Sequence, residues 1–157
     1  MSQPAVEIER KFLVATLPDL SGVQSDRIRQ GYLTQPQDSV QVRLRARGAR
    51  HFLTVKGPGL MVRSEHETEI PEEAFAALWP ATEGRRLCKT RWTGHLPCGA
   101  RYELDLFDDR PLRLVEVEFD SEAAARRFAP PDWFGAEVTG DPAYANSTLA
   151  TGGPVPG

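Results

Sequence analysis

The chain has 157 residues, 40% of them hydrophobic and 26% charged, a composition that suits one soluble globular domain with a core of its own. A formal net charge of −3 excludes generalised attraction to nucleic acid or an anionic membrane. No apolar run reaches membrane-spanning length and the opening "MSQPA" lacks a secretion signal, so the expected location is cytoplasmic; Cys88 and Cys98 are too few for a disulfide framework.

Strand-like alternation begins at once. In "VEIERKFLV" the first predicted strand, 5–13, puts Glu7, Glu9 and Lys11 on one face. Further strands are expected over 26–33, 39–47, 50–56, 62–70, 85–92, 100–107 and 112–119. Gly48, Gly57-Pro58-Gly59 and Gly99 punctuate them, and the short spacings favour antiparallel hairpins. "PEEAFAALWP" predicts a helix that starts at Pro71 with two acids in its first turn and stops at Pro80. "SEAAARRFAPP" predicts a second, capped by Ser121 and ended by Pro130-Pro131, and a third is expected over about 142–150. The ending from Thr151, "TGGPVPG", is expected to be disordered, leaving a single domain over 1–150. The fold class is mainly β (α+β): an eight-stranded antiparallel closed barrel with a few short helices packed outside.

The charges sort by strand parity. Arg43 and Arg45 share a face opposite Val42 and Leu44, and Lys56 lies opposite Leu53 and Val55. Glu65, Glu67 and Glu69 align, as do Lys89 with Arg91, Arg101 with Glu103 and Asp105, and Glu116 with Glu118. On any single strand a solvated outer face would explain this. Across the whole set, basic and acidic side chains recur at spacing two with few neutral fillers between them. If helices cover the apolar exterior, the charges point into the lumen, where they are costly unless something binds. Two features depart from the pattern: Leu87 shares the parity of Lys89, and the other side of the Glu65 strand carries Ser64, His66 and Thr68, each attributable to a bulge or a barrel end.

Arginine forks and lysines at strand spacing suit a chain of phosphates. Carboxylates in the same cavity would repel that chain unless a hard cation such as Mg²⁺ or Mn²⁺ bridged them. Together they point to metal-assisted phosphoanhydride cleavage. No GxSxG, P-loop or zinc arrangement competes.

The pentapeptide "EIERK" opens an ordered series: "ERKFLV", "RQGYL", "VRLR", "TVKGPG", "EGRRLCKTRW", "YELDLF", "LVEVEF" and "PPDWFGAEVT". In this order, from Val6 to about Leu149, the chain resembles the CYTH superfamily, the triphosphate tunnel metalloenzymes, whose signature is Glu-x-Glu-x-Lys. It is most similar to the short bacterial members that act as inorganic triphosphatases. The resemblance implies Glu7, Glu9, Glu116 and Glu118 as the main metal-binding carboxylates, with Glu65, Glu67 and Asp105 completing metal or water coordination. It implies Lys11, Arg43, Arg45, Lys56, Lys89 and Arg91 as holders of the triphosphate. Lys11 and Tyr32 match a pair implicated in catalysis, although Tyr32 also suits an ordinary half-buried barrel position.

The expected activity is hydrolysis of inorganic tripolyphosphate to pyrophosphate and phosphate, with Mg²⁺ or Mn²⁺ as cofactor. The alternatives are a class IV adenylate cyclase or a nucleoside or thiamine triphosphatase on the same fold, and, in another class, a polyphosphate-binding module without turnover. No adenine-directed constellation is evident, and Trp79, Trp92 and Trp133 suit packing equally well. The expected partner is tripolyphosphate or another triphosphate, with no nucleic acid, membrane or protein partner.

Overall fold

A computed structural model describes residues 5–59, 61–108 and 110–151. Eight strands form the wall: β1 (Ala5–Val14), β2 (Gln24–Tyr32), β3 (Gln41–Arg47), β4 (Arg50–Lys56), β5 (Val62–Glu69), β6 (Arg86–His95), β7 (Arg101–Phe107) and β8 (Arg113–Glu118). All pair antiparallel in the order β5-β4-β3-β2-β6-β7-β8-β1, and β1 closes the ring on β5 over Ala5–Ile8. The β3–β4 hairpin turns on Gly48 and Ala49, with Arg47 opposite Arg50 and Gly48 at φ 58°, a conformation glycine adopts without steric cost.

Apolar residues of outward parity are covered much as an enclosed charged lumen requires. Phe75 of α1 (Glu72–Leu78) packs on Leu44 and Ala46 of β3, with Leu53 and Trp79 around them. The α-helix ends before Pro80 as expected, although Pro80 does not stop a 3₁₀ turn from following. It sits in the first turn of a 3₁₀ helix, Trp79–Thr82, where its missing N–H is harmless. On the other flank Phe128, just after α2 (Glu122–Arg127), packs with Phe12, Leu104, Val115 and Val117; Ser121 caps α2 by accepting from the backbone N–H of Ala124. The outer face of β5 is left to solvent, which accounts for His66 and Thr68 without any bulge.

Two features differ from expectation. A ninth strand, β9 (Phe134–Glu137), pairs with β1 through Phe12 and Val14, on the edge that β5 leaves free beyond Ile8. The third helix also does more than cover the exterior. A 3₁₀ turn (Pro142–Tyr144) and α3 (Asn146–Ala150) close one end of the barrel. There Tyr144, Leu149 and Ala150 pack against Tyr32, Leu87, Phe107 and Leu114. Leu87 therefore keeps its inward parity and forms part of an apolar floor. The Gly/Pro-rich ending beyond 151 lies outside the described residues.

Candidate active site

The inward faces enclose a cavity of about 240 Å³ lined by eight cationic side chains and seven carboxylates. The signs intermingle along the wall, with Lys56 on Glu7 and Arg101 on Glu118, but ring order sets two groups face to face. In an eight-strand ring β3 stands diametrically opposite β8, so Arg43 and Arg45 face Glu116 and Glu118 across the lumen. Likewise β2, with Tyr32, stands opposite β1, with Lys11. Both lie toward the closed end: Lys11 Nζ donates to the Tyr144 carbonyl at 3.2 Å, and Tyr32 packs with Tyr144 and Leu149.

Twelve of the fourteen residues expected at the site line this cavity: Glu7, Glu9, Lys11, Tyr32, Arg43, Arg45, Lys56, Glu65, Glu67, Arg91, Glu116 and Glu118. Lys89 and Asp105 do not. They have the expected parity but lie a layer deeper, joined by an ion pair of 2.6 Å and almost wholly buried. Asp105 also takes the Arg91 fork, from Nε at 2.8 Å and Nη2 at 2.9 Å, while Lys89 donates to Asn146 Oδ1 at the start of α3. Arg91 Nη1 donates to Glu103 at 2.8 Å. Gln41, Arg47, Arg63, Arg101, Glu103, Ala145 and Asn146 also line the cavity. The signal for Arg63 and Glu103 was present in the sequence, since they share the parity of Glu65 and Asp105. Nothing in the sequence pointed to Asn146, which depends on where α3 docks.

Burial and the crowding of like charges shift several of these groups from their ordinary pKa values. Burial, then the charges of Arg43 and Arg91, push Arg45 down to about 9, so it remains cationic at neutral pH. Arg43 is buried with its Nε unpartnered, and its nearest carboxylate contact is Glu65 at 3.8 Å. Such a donor is costly unless a ligand engages it.

On the acidic side three carboxyl pairs share hydrogen bonds, and in each one member is pushed up. Burial and the Glu116 carboxylate raise Glu9 well above its ordinary value; Glu116, despite its burial, is held low by Lys11 and by that bond. Burial and the bond to Glu7 raise Glu65 to about 7. Glu7, although burial opposes its charge, is held at about 2 by Lys56, whose Nζ lies 3.0 Å away. Burial and Glu103 raise Glu118 to about 7.

Carboxyl groups that share protons in this way suit divalent cations, which satisfy both partners at once. Among the described residues no three His, Cys, Asp or Glu side chains already converge as a closed ligand set.

The site is a closed antiparallel barrel whose lumen is lined by charges of both signs, and comparison with known proteins gives it a family. The CYTH domain model matches residues 5–129, and the chain belongs to that family. It is 55% identical over 146 residues to an inorganic triphosphatase of Nitrosomonas europaea, covering 92% of this chain and 96% of that one. It is 38% identical over 147 residues to an inorganic triphosphatase of Acetivibrio thermocellus, covering 91% and 92%. A crystal structure of an inorganic triphosphatase superposes with a TM-score of 0.71 at 52% identity, covering 96% of this chain and 97% of that one.

Proposed function

We propose that the protein is an inorganic triphosphatase, a hydrolase that cleaves tripolyphosphate to pyrophosphate and phosphate with Mg²⁺ or Mn²⁺. The observation that carries this reading is the opposition of Arg43 and Arg45 to Glu116 and Glu118 across an enclosed lumen, in a chain 55% identical to a protein named for that activity. Arg43, Arg45, Lys56, Arg91 and Lys11 hold the phosphate chain. Lys89 and Asp105 serve from below, where Asp105 takes the Arg91 fork and so fixes the guanidinium at the cavity wall. Glu7, Glu9, Glu116 and Glu118, with Glu65 and Glu67 nearby, would hold the cations. When bound, these cations neutralise the phosphate oxygens and supply a water of lowered pKa.

Lys11 and Tyr32, facing each other at the closed end, orient the terminal phosphate and the attacking water. In-line transfer depends on alignment and charge neutralisation more than on covalent chemistry, which is why no nucleophilic side chain is needed. The tryptophans support an inorganic substrate. Trp79 stacks on Phe75, Trp133 meets Tyr102 and Phe134, and Trp92 joins the same outer cluster, so none offers a platform for a base in the lumen. A single domain over 1–150 and a cytoplasmic location complete the proposal; among the described residues no helix is long and apolar enough to cross a membrane.

The test is phosphate release from tripolyphosphate, ATP, thiamine triphosphate and pyrophosphate, each with Mg²⁺, Mn²⁺ or EDTA. Tripolyphosphate should be the best substrate and EDTA should abolish turnover. Equal release in EDTA, or binding of tripolyphosphate without release, would overturn the proposal.

A further inference from the structure

Tyr32 and Arg45 are tied together by a residue that carries no charge. Gln30 is fully buried, two positions before Tyr32 on the inward face of β2, and pairs directly with Arg45 on β3. Arg45 Nε and Nη2 both donate to Gln30 Oε1, at 3.1 and 2.9 Å. Gln30 Nε2 donates in turn to Tyr32 Oη at 2.9 Å.

Chemistry fixes the direction of this chain. A guanidinium has donors only, so turning the amide over would set an NH₂ group against a cation. Tyr32 Oη therefore accepts from Gln30, and its single proton must go elsewhere. Among the described residues no other group takes it, and Tyr32 lines the cavity.

We propose that Gln30 is a positioning residue that makes Tyr32 a hydrogen-bond donor into the lumen, aimed at a phosphate oxygen of the substrate. The proposal rests on the triphosphatase reading and deepens it. The donor chain from Arg45 through Gln30 polarises the phenol hydroxyl toward the charge that builds up on the phosphate in the transition state. Tyr32 thus acts as a donor and not as the base that takes a proton from water. The neutral amide has a second effect: it anchors Arg45 without neutralising it, leaving that cation for the substrate. A carboxylate in its place would spend both groups, pairing with Arg45 and turning the tyrosine proton away from the cavity.

That contrast supplies the experiment. Gln30→Glu keeps the shape and the anchor on Arg45 but reverses the Tyr32 hydroxyl, which would then donate to the new carboxylate. Its kcat for tripolyphosphate should fall about 100-fold, the scale seen when one preorganised donor is lost. Tyr32→Phe should fall by a similar factor, and the double variant should fall well short of the product of the two single losses, the part due to Arg45 alone adding to that of Tyr32→Phe. Gln30→Met, which removes the relay without reversing it, should lose less than Gln30→Glu and also show a non-additive loss with Tyr32→Phe. This second cycle decides the matter if a buried glutamate prevents folding, as thermal melts would reveal.

A readout independent of turnover is the tyrosine Fermi doublet in the Raman spectrum, which should move toward the strong-donor ratio in Gln30→Glu. Wild-type kcat in Gln30→Glu, or losses that multiply in both double variants, would overturn the relay while leaving the triphosphatase reading intact. A wild-type protein inert toward tripolyphosphate would instead overturn that reading, and the substrate role of the relay with it.

Discussion

Glu9 and Glu116 meet carboxyl to carboxyl between β1 and β8, one raised well above its ordinary pKa and the other held well below it. Shared protons of this kind mark where a cation is expected. Glu116→Gln or Glu118→Gln should remove most tripolyphosphatase activity while leaving a folded barrel, because charge is lost with little change of shape. Circular dichroism and phosphate release on the same preparations check this, and full turnover by either variant would contradict it.

The acidic wall also sets a pH dependence of stability. Glu9, Glu65 and Glu118 titrate above the ordinary 4.5 in the native state, Glu65 and Glu118 at about 7. Between about pH 4.5 and 7 the native protein therefore binds more protons than the unfolded chain, and its stability falls as pH rises through that window. Glu7 and Asp105, held at about 2, lose their stabilising contribution only at lower pH. In EDTA the melting temperature should drop from about pH 5 to pH 7, and Mg²⁺ or Mn²⁺, by displacing those protons, should lessen the drop. A melting temperature that climbs across this range in EDTA would count against the protonated pairs.

On the basic wall, truncating Arg43 or Arg45 to alanine should cost about 1.5–3 kcal/mol of charge-assisted hydrogen bonding to substrate, and lysine should restore only part of it because it lacks the fork. The measurement is kcat/KM for tripolyphosphate. Unchanged values in both alanine variants would mean that these side chains do not touch the phosphates.

Beneath the cavity, Asp105 balances both Lys89 and Arg91. Asp105→Ala leaves two buried cations with one carboxylate, Glu103, still on Arg91, and should destabilise the protein by about 3–5 kcal/mol in denaturant titrations. Lys89→Met should cost less, since Asp105 keeps the Arg91 fork. The reverse order would mean that Lys89, not Asp105, is the keystone of this cluster.

The sequence carried the wall of the barrel and the side each charge faces, because a strand's period of two leaves little choice once one face is apolar. Height along the barrel axis was not legible. Lys89 and Asp105 have the parity of Arg91 and Glu103, yet sit below the cavity surface, and only the packing of the floor reveals this. β9 was missed because "FGAE" has four residues and no alternation; it exists because β1 outruns β5 and leaves an edge to pair. Gln30 escaped notice as a neutral residue among charged ones. Its importance comes from what it touches.

The central claim is that binding energy is concentrated on three linked phosphates and not on a nucleoside. It is tested most directly by kcat/KM for tripolyphosphate against ATP at equal free Mg²⁺ or Mn²⁺, with products resolved by phosphorus NMR. With no tryptophan or phenylalanine lining the lumen among the described residues, a nucleoside removes a charged terminal oxygen and crowds the mouth without compensating contacts, so tripolyphosphate should be preferred by a wide margin and yield pyrophosphate and phosphate in equal amounts. Equal or better use of ATP, or cyclic AMP as the main product, would contradict the account.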